Sequence, residues 1–359
     1  MRISSIVIAL VVAAVLSPAA GATIYTITDM GALGGWASYA FDVNATGEAT
    51  GYSPNSSGFE RAFLWSGGVM TDLGTFGGLR SYGHGINDAG QVVGSPQLST
   101  EYSHAFIWSE GVMTDIGTLG GSTSYAQAIH ESGHVAGISM PAAGYNEHAF
   151  YWDGTMYDLG LLPGGYTSAA TDINDSDVVV GRATNAYSWQ AFVWSGGVMT
   201  GLGDLGGGSS MAEAVNSGSD IVGGSANIAG NWEATLWIGS APYGLGTLGG
   251  TYSAAHDING SRQVVGYSYT ADGGGDPFIW EDGVMRDLNG LLSTDSGWTL
   301  YEAYGINDSG QIVGYGTYDG TVHGYLLTPN AAVPAPGAIL LGIVGVGLVA
   351  AGRGRNGGK

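Results

Sequence analysis

Three ionisable side chains recur at one position of a repeated segment, three residues after a serine, and could transfer protons. They are His84, Glu213 and His256. Histidines and carboxylates that converge can act as general acid and base, which is the chemistry of a polysaccharide lyase or hydrolase. No nucleophile-elbow sequence accompanies them, and serine is too frequent for a Ser-His-Asp arrangement to be recognised from spacing. These three residues are the enzyme candidates, but the sequence favours a non-catalytic protein.

A second set of residues could bind a ligand without reacting with it. Six of the ten tryptophans occupy one repeated position, and the other four lie in or beside segments that differ between copies. Aromatic faces among Asn, Ser and Gly suit stacking on sugar rings. The alternative is that these rings anchor loops against the sheets. The predicted ligand-binding residues are Trp36, Tyr102, Tyr145, Tyr166, Trp189, Trp232, Tyr252 and Trp298.

The charge and the absence of cysteine limit the kinds of partner and metal site that the protein can have. The chain has no cysteine, so disulfides and thiolate metal sites are excluded. Between the terminal segments, five arginines face 30 acidic residues, a net charge of −25, which repels phosphate backbones and makes nucleic acid an unsuitable partner. We predict no cofactor. Calcium bound by the acidic segment from Asp272 to Asp276 is kept as an alternative, although no EF-hand pattern is present.

The secondary-structure elements that must position these residues belong to a segment that is repeated seven times. Its opening aspartate, or a glycine in its place, recurs every 43 residues from Asp29 to Asp287. In the second copy, β-rich runs cover 81–87, 91–95, 104–109 and 112–117, with turn residues between them. Short strands with turn signals every 8 to 12 residues predict one four-stranded antiparallel sheet per copy.

The two ends of the array predict how these sheets assemble. A sheet of this size cannot stand alone, and radial stacking of about 43-residue units is typical of β-propellers. An extra strand-like segment, Tyr25 to Met30, precedes the first copy, whereas the last copy stops after Leu327 without an outer strand. We therefore predict an all-β, seven-bladed β-propeller over residues 23–330, closed by its N-terminal strand. An open β-solenoid is the alternative.

Three repeated residue types have structural roles in this prediction. The repeated tryptophan should fill the space between blades. The glycine after the second β-rich run indicates a close approach of the next sheet or a twist point. The turn asparagine, replaced by His130 in one copy, should bond its own backbone. The tryptophans are Trp65, Trp108, Trp152, Trp194, Trp237 and Trp280, with Leu327 in the last copy, and the glycines are Gly51, Gly94, Gly137, Gly181, Gly223, Gly266 and Gly314.

The turns sort onto two faces. One face has short, repetitive turns of the Asn-Asp-x-Gly and Ser-Gly-Gly types. The other has the Gly-Gly connectors between blades and long loops that differ in every copy. Variation on a constant frame is typical of binding surfaces, so we predict the ligand on this variable face.

Both termini carry targeting signals. Arg2, the apolar run from Ile6 to Leu16 and the small residues up to Ala22 predict a signal peptide over residues 1–22. At the other end, the motif Val333, Pro334, Ala335 and Pro336 precedes an apolar run and basic residues, over 331–359. Such a segment can hold the C-terminus in a membrane, transiently or permanently.

Two resemblances follow from these motifs. The C-terminal segment resembles the PEP-CTERM sorting signal, with Ala335 in place of its glutamate, which implies transient inner-membrane anchoring through a helix, an exosortase-type processing enzyme and delivery to the cell surface or matrix. The repeated Asp-Leu-Gly-Thr-Leu-Gly-Gly, Ile-Asn-Asp-x-Gly-x-Val-Val-Gly and His-Ala-Phe-x-Trp motifs resemble the HAF-repeat family of extracellular proteins, from Asp29 to about Leu327. That family implies an exported repeat protein. We therefore predict a surface or matrix module that binds extracellular polysaccharide or a surface protein.

Overall fold

A computed structural model gives the fold. It describes residues 25–98, 102–142, 144, 146–185 and 188–330. In these ranges the chain forms 28 β-strands and one short 3-10 helix, Asn289–Leu291. The strands make seven four-stranded sheets, antiparallel throughout. The predicted all-β class and the predicted seven blades are confirmed.

The first four blades follow the chain in order, from the axis outward. Blade 1 consists of β2 (Tyr39–Val43), β3 (Ala49–Pro54), β4 (Glu60–Ser66) and β5 (Val69–Asp72). Blade 2 consists of β6 (Gly77–Ile86), β7 (Val92–Leu98), β8 (Phe106–Ser109) and β9 (Val112–Asp115). Blade 3 consists of β10 (Gly120–Ile129), β11 (Val135–Pro141), β12 (His148–Trp152) and β13 (Met156–Asp158). Blade 4 consists of β14 (Ser168–Ile173), β15 (Val179–Thr184), β16 (Trp189–Ser195) and β17 (Val198–Gly201).

The last three blades have the same strand order, and the seventh combines strands from both ends of the array. Blade 5 consists of β18 (Gly206–Val215), β19 (Ile221–Asn227), β20 (Trp232–Ile238) and β21 (Ala241–Gly244). Blade 6 consists of β22 (Gly249–Ile258), β23 (Val264–Thr270), β24 (Gly275–Glu281) and β25 (Val284–Asp287). Blade 7 consists of β26 (Trp298–Ile306), β27 (Ile312–Tyr318), β28 (Thr321–Pro329) and, outermost, β1 (Tyr25–Asp29).

Strand β1 closes the propeller as predicted. It pairs antiparallel with β28 over its full length, from Tyr25 opposite Pro329 to Asp29 opposite Tyr325. The seventh blade is also bonded to the first, because the Asn307 side-chain amide donates to the Asn44 carbonyl oxygen at 2.8 Å. The chain therefore forms a closed ring, and the alternative of an open solenoid is wrong.

The repeated glycine lies at a bulge in its own blade. Each innermost strand shifts register at the same position of the repeat, as between Ala40 and Asp42, and five of the seven have a second shift nearer the start of the strand. The shift directs a backbone carbonyl at the glycine on the next strand, so that a Cβ on Gly94 would overlap the Tyr82 carbonyl oxygen. The predicted close approach is therefore real, but its partner is the innermost strand of the same blade and not the next sheet.

The core fills the seams between blades. Trp65 and Trp237 are fully enclosed, and the other repeated tryptophans pack against the neighbouring core clusters with part of the ring exposed. The predicted packing role is confirmed. In blade 2 the methionine of the outermost strand covers the ring, since Met113 lies opposite Trp108 in the ladder.

A ring of asparagines connects neighbouring blades. The predicted bond of each asparagine to its own turn is present, as in the Glu48 N–H donating to Asn44 Oδ1 at 2.9 Å. The sequence did not reveal the second half of the arrangement. The Asn44 amide also donates to the Asn87 carbonyl of the next blade at 3.1 Å, and the same bond recurs around the propeller except after His130.

A buried serine makes a second type of link between blades. Ser81 Oγ accepts the Ala62 N–H of the preceding blade at 2.9 Å and donates to the Gly74 carbonyl at 2.6 Å. In five other blades the serine likewise accepts the N–H of the preceding blade, and in blade 7 Asn289 bonds both backbone groups of Leu300 instead. The backbone groups at the boundary between blades therefore have hydrogen-bond partners within the protein and do not need water.

The variable face has shorter loops than the sequence indicated. Strands extend into the segments predicted as loops, leaving turns such as 55–59 and 228–231. Polar side chains close these turns, as where the Ala229 N–H donates to Asn227 Oδ1. In four blades the Gly-Gly connector is likewise part of the innermost strand, which there spans ten residues. In blades 1, 5, 6 and 7, whose loops are described in full, the variable face therefore consists of tight hairpins.

The predicted terminal signals lie outside the described residues. These are the signal peptide at 1–22 and the sorting segment at 331–359, with its motif at Val333, Pro334, Ala335 and Pro336. Within the ranges that the structure describes, no helix has the length and apolar character needed to cross a membrane.

Candidate functional site

One residue from the innermost strand of every blade lines a cavity on the propeller axis. Six of these residues lie three positions after the repeated serine, and all seven lie at the bulge of the strand. This channel ring consists of Phe41, His84, Gln127, Thr171, Glu213, His256 and Tyr304. The structure therefore brings the three predicted proton-transfer candidates into one ring.

The channel ring has an aromatic half. The Tyr304 ring centroid lies 5.1 Å from that of His256 and 5.2 Å from that of Phe41. Phe41 in turn stacks on His84 with centroids 6.2 Å apart. Four neighbouring blades thus present a continuous aromatic wall, and the other three contribute the polar residues Gln127, Thr171 and Glu213.

Burial sets the charge of the ionisable members. It lowers the pKa of His84 and of His256 to about 4, so both imidazoles are neutral near pH 7. It raises the pKa of Glu213, an effect opposed by Arg182, whose guanidinium lies 3.9 Å away. Neutral imidazoles can accept a proton, which is a requirement for a general base.

A layer of three aspartates below the ring was missed by the sequence analysis. Asp172 accepts the N–H of Ile173 and that of Val215 in the next blade, both at 2.8 Å. Asp42 and Asp257 make the equivalent pairs of bonds. Burial raises the pKa of Asp42 to about 6, of Asp257 to about 7 and of Asp172 to about 8. These carboxylates link three pairs of blades.

Above the channel ring, towards the variable face, six tyrosines and one glutamate surround its aromatic half. All seven are half-buried, so each keeps part of its surface open. We call them the tyrosine vestibule: Tyr39, Tyr52, Tyr82, Tyr252, Tyr267, Glu302 and Tyr315. The rings touch across blade boundaries. Tyr39 stacks on Tyr52 at 4.8 Å and meets Tyr315 of blade 7 at 5.0 Å, and Tyr52 meets Tyr82 of blade 2 at 5.2 Å.

Glu302 is the charged group of the tyrosine vestibule. Its Oε2 atom is out of contact with water and has no hydrogen-bond donor, and the nearest cationic candidate, His256 Nε2, is 3.6 Å away. Burial raises the pKa of Glu302 to about 7. Since His256 is neutral there, nothing beside Glu302 compensates its charge when it ionises. The side chain keeps 20% of its surface exposed, so it can be reached from the vestibule.

The predicted loop aromatics do not form one site. Trp36 and Tyr166 are 65% and 58% exposed on different blades, and Tyr102 is 52% exposed on a third. Tyr145 lies outside the described residues. Trp298 stacks on Tyr318 at 5.3 Å and packs against the core, as an anchor does.

The other three predicted aromatics lie nearer the axis. Trp189 lies over the Arg182 guanidinium at 5.7 Å, and Trp232 covers the space that a side chain on Gly224 would fill. Tyr252 is part of the tyrosine vestibule, 5.2 Å from Tyr269. Of the seven predicted residues that the structure describes, only Tyr252 therefore joins the cluster that the fold creates.

The histidine of the His-Ala-Phe motif has a structural explanation. His104 bonds Asp115 of the Asp-Leu-Gly motif on the adjacent strand at 2.8 Å, and His148 and His323 make the same bond. In the two copies where glycine replaces this aspartate, an uncharged or acidic side chain occupies the vacated space, as Gln190 does beside Gly201. The copies that keep the histidine therefore use it for a hydrogen bond within the blade, and the position is not a catalytic group shared by all copies.

One group of side chains in the described ranges brings three metal-ligating atoms within 4.8 Å: His130, His134 and Asp177. Asp177 accepts from His130 Nε2 at 3.0 Å and from His134 Nδ1 at 2.8 Å. The Ser132 N–H donates to His130 Nδ1 at 2.9 Å, so Nε2 carries the proton. A metal could bind that nitrogen only by displacing it, and the group is better explained as a hydrogen-bonded link between blades 3 and 4.

The carboxylates of the segment proposed to bind calcium do not converge on one point. Asp272 accepts hydrogen bonds within its own turn, from Thr270 and from the Gly274 N–H. Asp276 accepts from the Asn289 amide at 3.0 Å. The two carboxylates therefore have different partners.

The buried acids make a prediction about pH. The folded-state pKa of Asp172, Asp257 and Glu302 lies above the unfolded value, so their contribution to stability is full below about pH 4 and is lost as the pH rises through 7 to 8. The two half-buried histidines of the channel ring act in the opposite direction, but only below about pH 6.5. We expect the melting temperature to fall by several degrees from pH 6.5 to 8.5 at constant ionic strength.

A matched pair of variants checks this cause. Asp257→Asn should reduce the pH dependence of the melting temperature, and Asp295→Asn, at an exposed position, should leave it unchanged. A melting temperature that rises over this range, or an equal effect of the two variants, would contradict the assignment.

The fold and its axial site define the class of the protein, a seven-bladed β-propeller with a lined central channel. The chain is similar to the β-propeller domain of the Trilobed protease from Pyrococcus furiosus, described as having an open velcro topology, at 10% identity and a TM-score of 0.55. The match covers 83% of this chain and 98% of that one. At this identity the likeness shows the fold alone.

More distant similarities point to proteins of several kinds. TolB from Acinetobacter baumannii is 11% identical, with a TM-score of 0.44 over 67% of this chain and 64% of that one. A mutant Aleuria aurantia lectin in complex with Fucα1-6GlcNAc is 12% identical, with a TM-score of 0.35 over 73% and 94% of the two chains. No family model and no curated protein matches the sequence. The HAF-repeat and PEP-CTERM resemblances therefore stay predictions.

Proposed function

We propose that this protein is an exported, non-catalytic glycan-binding module that uses the tyrosine vestibule on its variable face. The observation that carries the proposal is the clustering of six tyrosines from four blades near the propeller axis, four of them in one chain of ring contacts and Tyr252 with Tyr267 as a second pair. Half-buried aromatic faces beside hydroxyl groups suit sugar rings, which need both stacking and hydrogen bonds. Burial raises the pKa of Tyr52 to about 12, so this hydroxyl stays protonated and can donate.

The test compares two sets of aromatics by glycan array and calorimetry, on the compact unit from Ala22 to Pro329. We expect saturable binding that Tyr52→Ala or Tyr315→Ala weakens about tenfold each, the loss of one stacking contact. Trp189→Ala and Trp232→Ala test the loop aromatics instead. Tyr243→Ala, at an exposed outer-strand tyrosine, is the control and should bind normally.

The outcomes separate the sites. Loss of binding in the tryptophan variants alone would move the site to the loops. Equal binding by all variants would exclude both sets of aromatics. An array without binding at high protein concentration would overturn the glycan proposal and favour a protein partner on the same face.

Cleavage of a glycan is the second candidate function, because His84, Glu213 and His256 lie in one channel ring. If the protein cleaves a glycan, it should release new sugar ends from a polysaccharide. The His84→Ala and Glu213→Ala variants should lose this release but keep the melting temperature of the unmodified protein. Binding without such release would leave the non-catalytic proposal standing.

A further inference from the structure

The ligand class of the tyrosine vestibule can be narrowed by the charges around it, if the proposed function holds. Every arginine between the terminal segments already has a carboxylate partner. Arg182 pairs with Glu213 of the channel ring at 3.9 Å. The other four pairs are Arg61 with Asp72, Arg80 with Glu60, Arg262 with Asp220 and Arg286 with Glu281, at 2.5 to 3.7 Å.

No lysine lies in this part of the sequence. An acidic glycan would therefore meet an excess of carboxylates, and every arginine it reached would already be paired with one of them. The long-range field of the protein and the local contacts both oppose an anionic ligand. A neutral or a cationic glycan remains.

The environment of Glu302 distinguishes between a neutral and a cationic glycan. A neutral sugar could accept from the tyrosine hydroxyls, but it would leave the Glu302 carboxylate without a compensating charge. An ammonium group supplies that charge, donates up to three hydrogen bonds and favours the ionised carboxylate. Glu302 lies between His256 of blade 6 and Tyr315 of blade 7, at the edge of the aromatic wall rather than outside it.

The tyrosines favour a cation for an independent reason. The face of an aromatic ring carries partial negative charge and attracts ammonium groups within about 6 Å of its centroid. Tyr39, Tyr52 and Tyr315 form a continuous aromatic cluster with centroids 4.8 to 5.0 Å apart, in which Tyr39 stacks on Tyr52 and meets Tyr315 edge-on, so a cation would contact the outer faces of the cluster. A carboxylate at the edge of an aromatic cluster is an arrangement that selects organic cations.

We propose that the tyrosine vestibule binds glycans with free amino groups, with the sugar rings on the tyrosines and an ammonium group against the Glu302 carboxylate. N-acetylation removes the positive charge and adds bulk at the same atom. The vestibule should therefore discriminate a de-N-acetylated amino sugar from its acetylated counterpart. This inference rests on the proposed glycan-binding function.

The experiment uses two disaccharides with the same backbone, β-1,4-linked glucosamine and β-1,4-linked N-acetylglucosamine. Short ligands limit the unspecific attraction that any polycation has for an acidic protein. Calorimetry near neutral pH should give one site per chain, with the free amine bound about tenfold or more tightly than the acetylated form. That ratio is the size expected for one ammonium paired with a carboxylate and aromatic faces.

Two isosteric variants identify the carboxylate. Glu302→Gln should abolish the preference for the free amine. Glu110→Gln makes the same change of net charge at an exposed turn on the opposite face, and it should keep the preference. Circular dichroism and the melting temperature confirm that both variants are folded.

Each result decides something. Equal affinity for the two sugars, or a preference that survives Glu302→Gln, overturns the inference but leaves glycan binding intact. Equal losses in the two variants would show unspecific charge attraction and also overturn it. Binding of neither disaccharide overturns the inference, and the array then decides separately whether the proposed function survives.

Discussion

Removal of the closing strand should cost more stability than any single substitution in this protein. A chain that begins at Gly31 lacks β1, whose Tyr25 is buried. It also lacks Met30, which is buried in the core between blades 7 and 1. Each buried side chain of this size contributes about 1.5–3 kcal/mol, so we expect a loss of about 5 kcal/mol in the free energy of unfolding. The exposed edge of β28 should also promote self-association.

Urea unfolding and size-exclusion chromatography measure this effect. The reference is the chain that begins at Ala22, where the compact unit starts. A synthetic peptide with the sequence from Thr23 to Gly31 should restore part of the lost stability, because β1 makes its ladder with β28 alone. Equal unfolding midpoints for the two chains would contradict a closing role. The open velcro topology described for the Pyrococcus furiosus propeller makes this comparison informative.

The propeller could be predicted because its determinants are local and repeated. Strands, turns and their period are written in each copy, and the surplus segment at Tyr25 with the missing strand after Leu327 specifies the closure. The innermost strands were predicted too short because Gly77-Gly78 has the composition of a turn, although its backbone pairs with β7 near Leu98. Pairing across the sheet overrides the local preference of glycine there.

The candidate site could be predicted only in part. The common position of His84, Glu213 and His256 is visible in the repeat, and the structure places them in one ring. The tyrosine vestibule depends on contacts between the first and last blades, such as that of Tyr39 with Tyr315, which no local pattern encodes. A signal was present in the Ser-Tyr pairs at 38–39, 81–82 and 124–125, but only three copies carry it.

The missing hydrogen-bond partner of Glu302 illustrates the limit of sequence analysis. Its copies in other blades are apolar or tyrosine, so a single acidic residue in the register resembles an exposed exception. Only the packing of blades 6 and 7 shows that one of its oxygens is enclosed. The repeat therefore determines the frame, and departures from the repeat create the site.

The second large effect is expected from Gly94→Ala, which should destabilise the protein by about 3 kcal/mol through overpacking. A Cβ there would overlap the Tyr82 carbonyl oxygen and lie 2.9 Å from Phe106 Cε1, and both groups are fixed by the ladder and the core. The backbone of Gly94 is outside the left-handed region, so the effect is one of space alone. Gly290→Ala is the matched control, since its Cβ would meet only Asp287 Oδ2, at 3.9 Å. Chemical unfolding of both variants measures the difference. If Gly94→Ala unfolds at the same denaturant concentration as Gly290→Ala, the bulge can move aside, and the repeated glycine would then reflect flexibility of the blade rather than close packing.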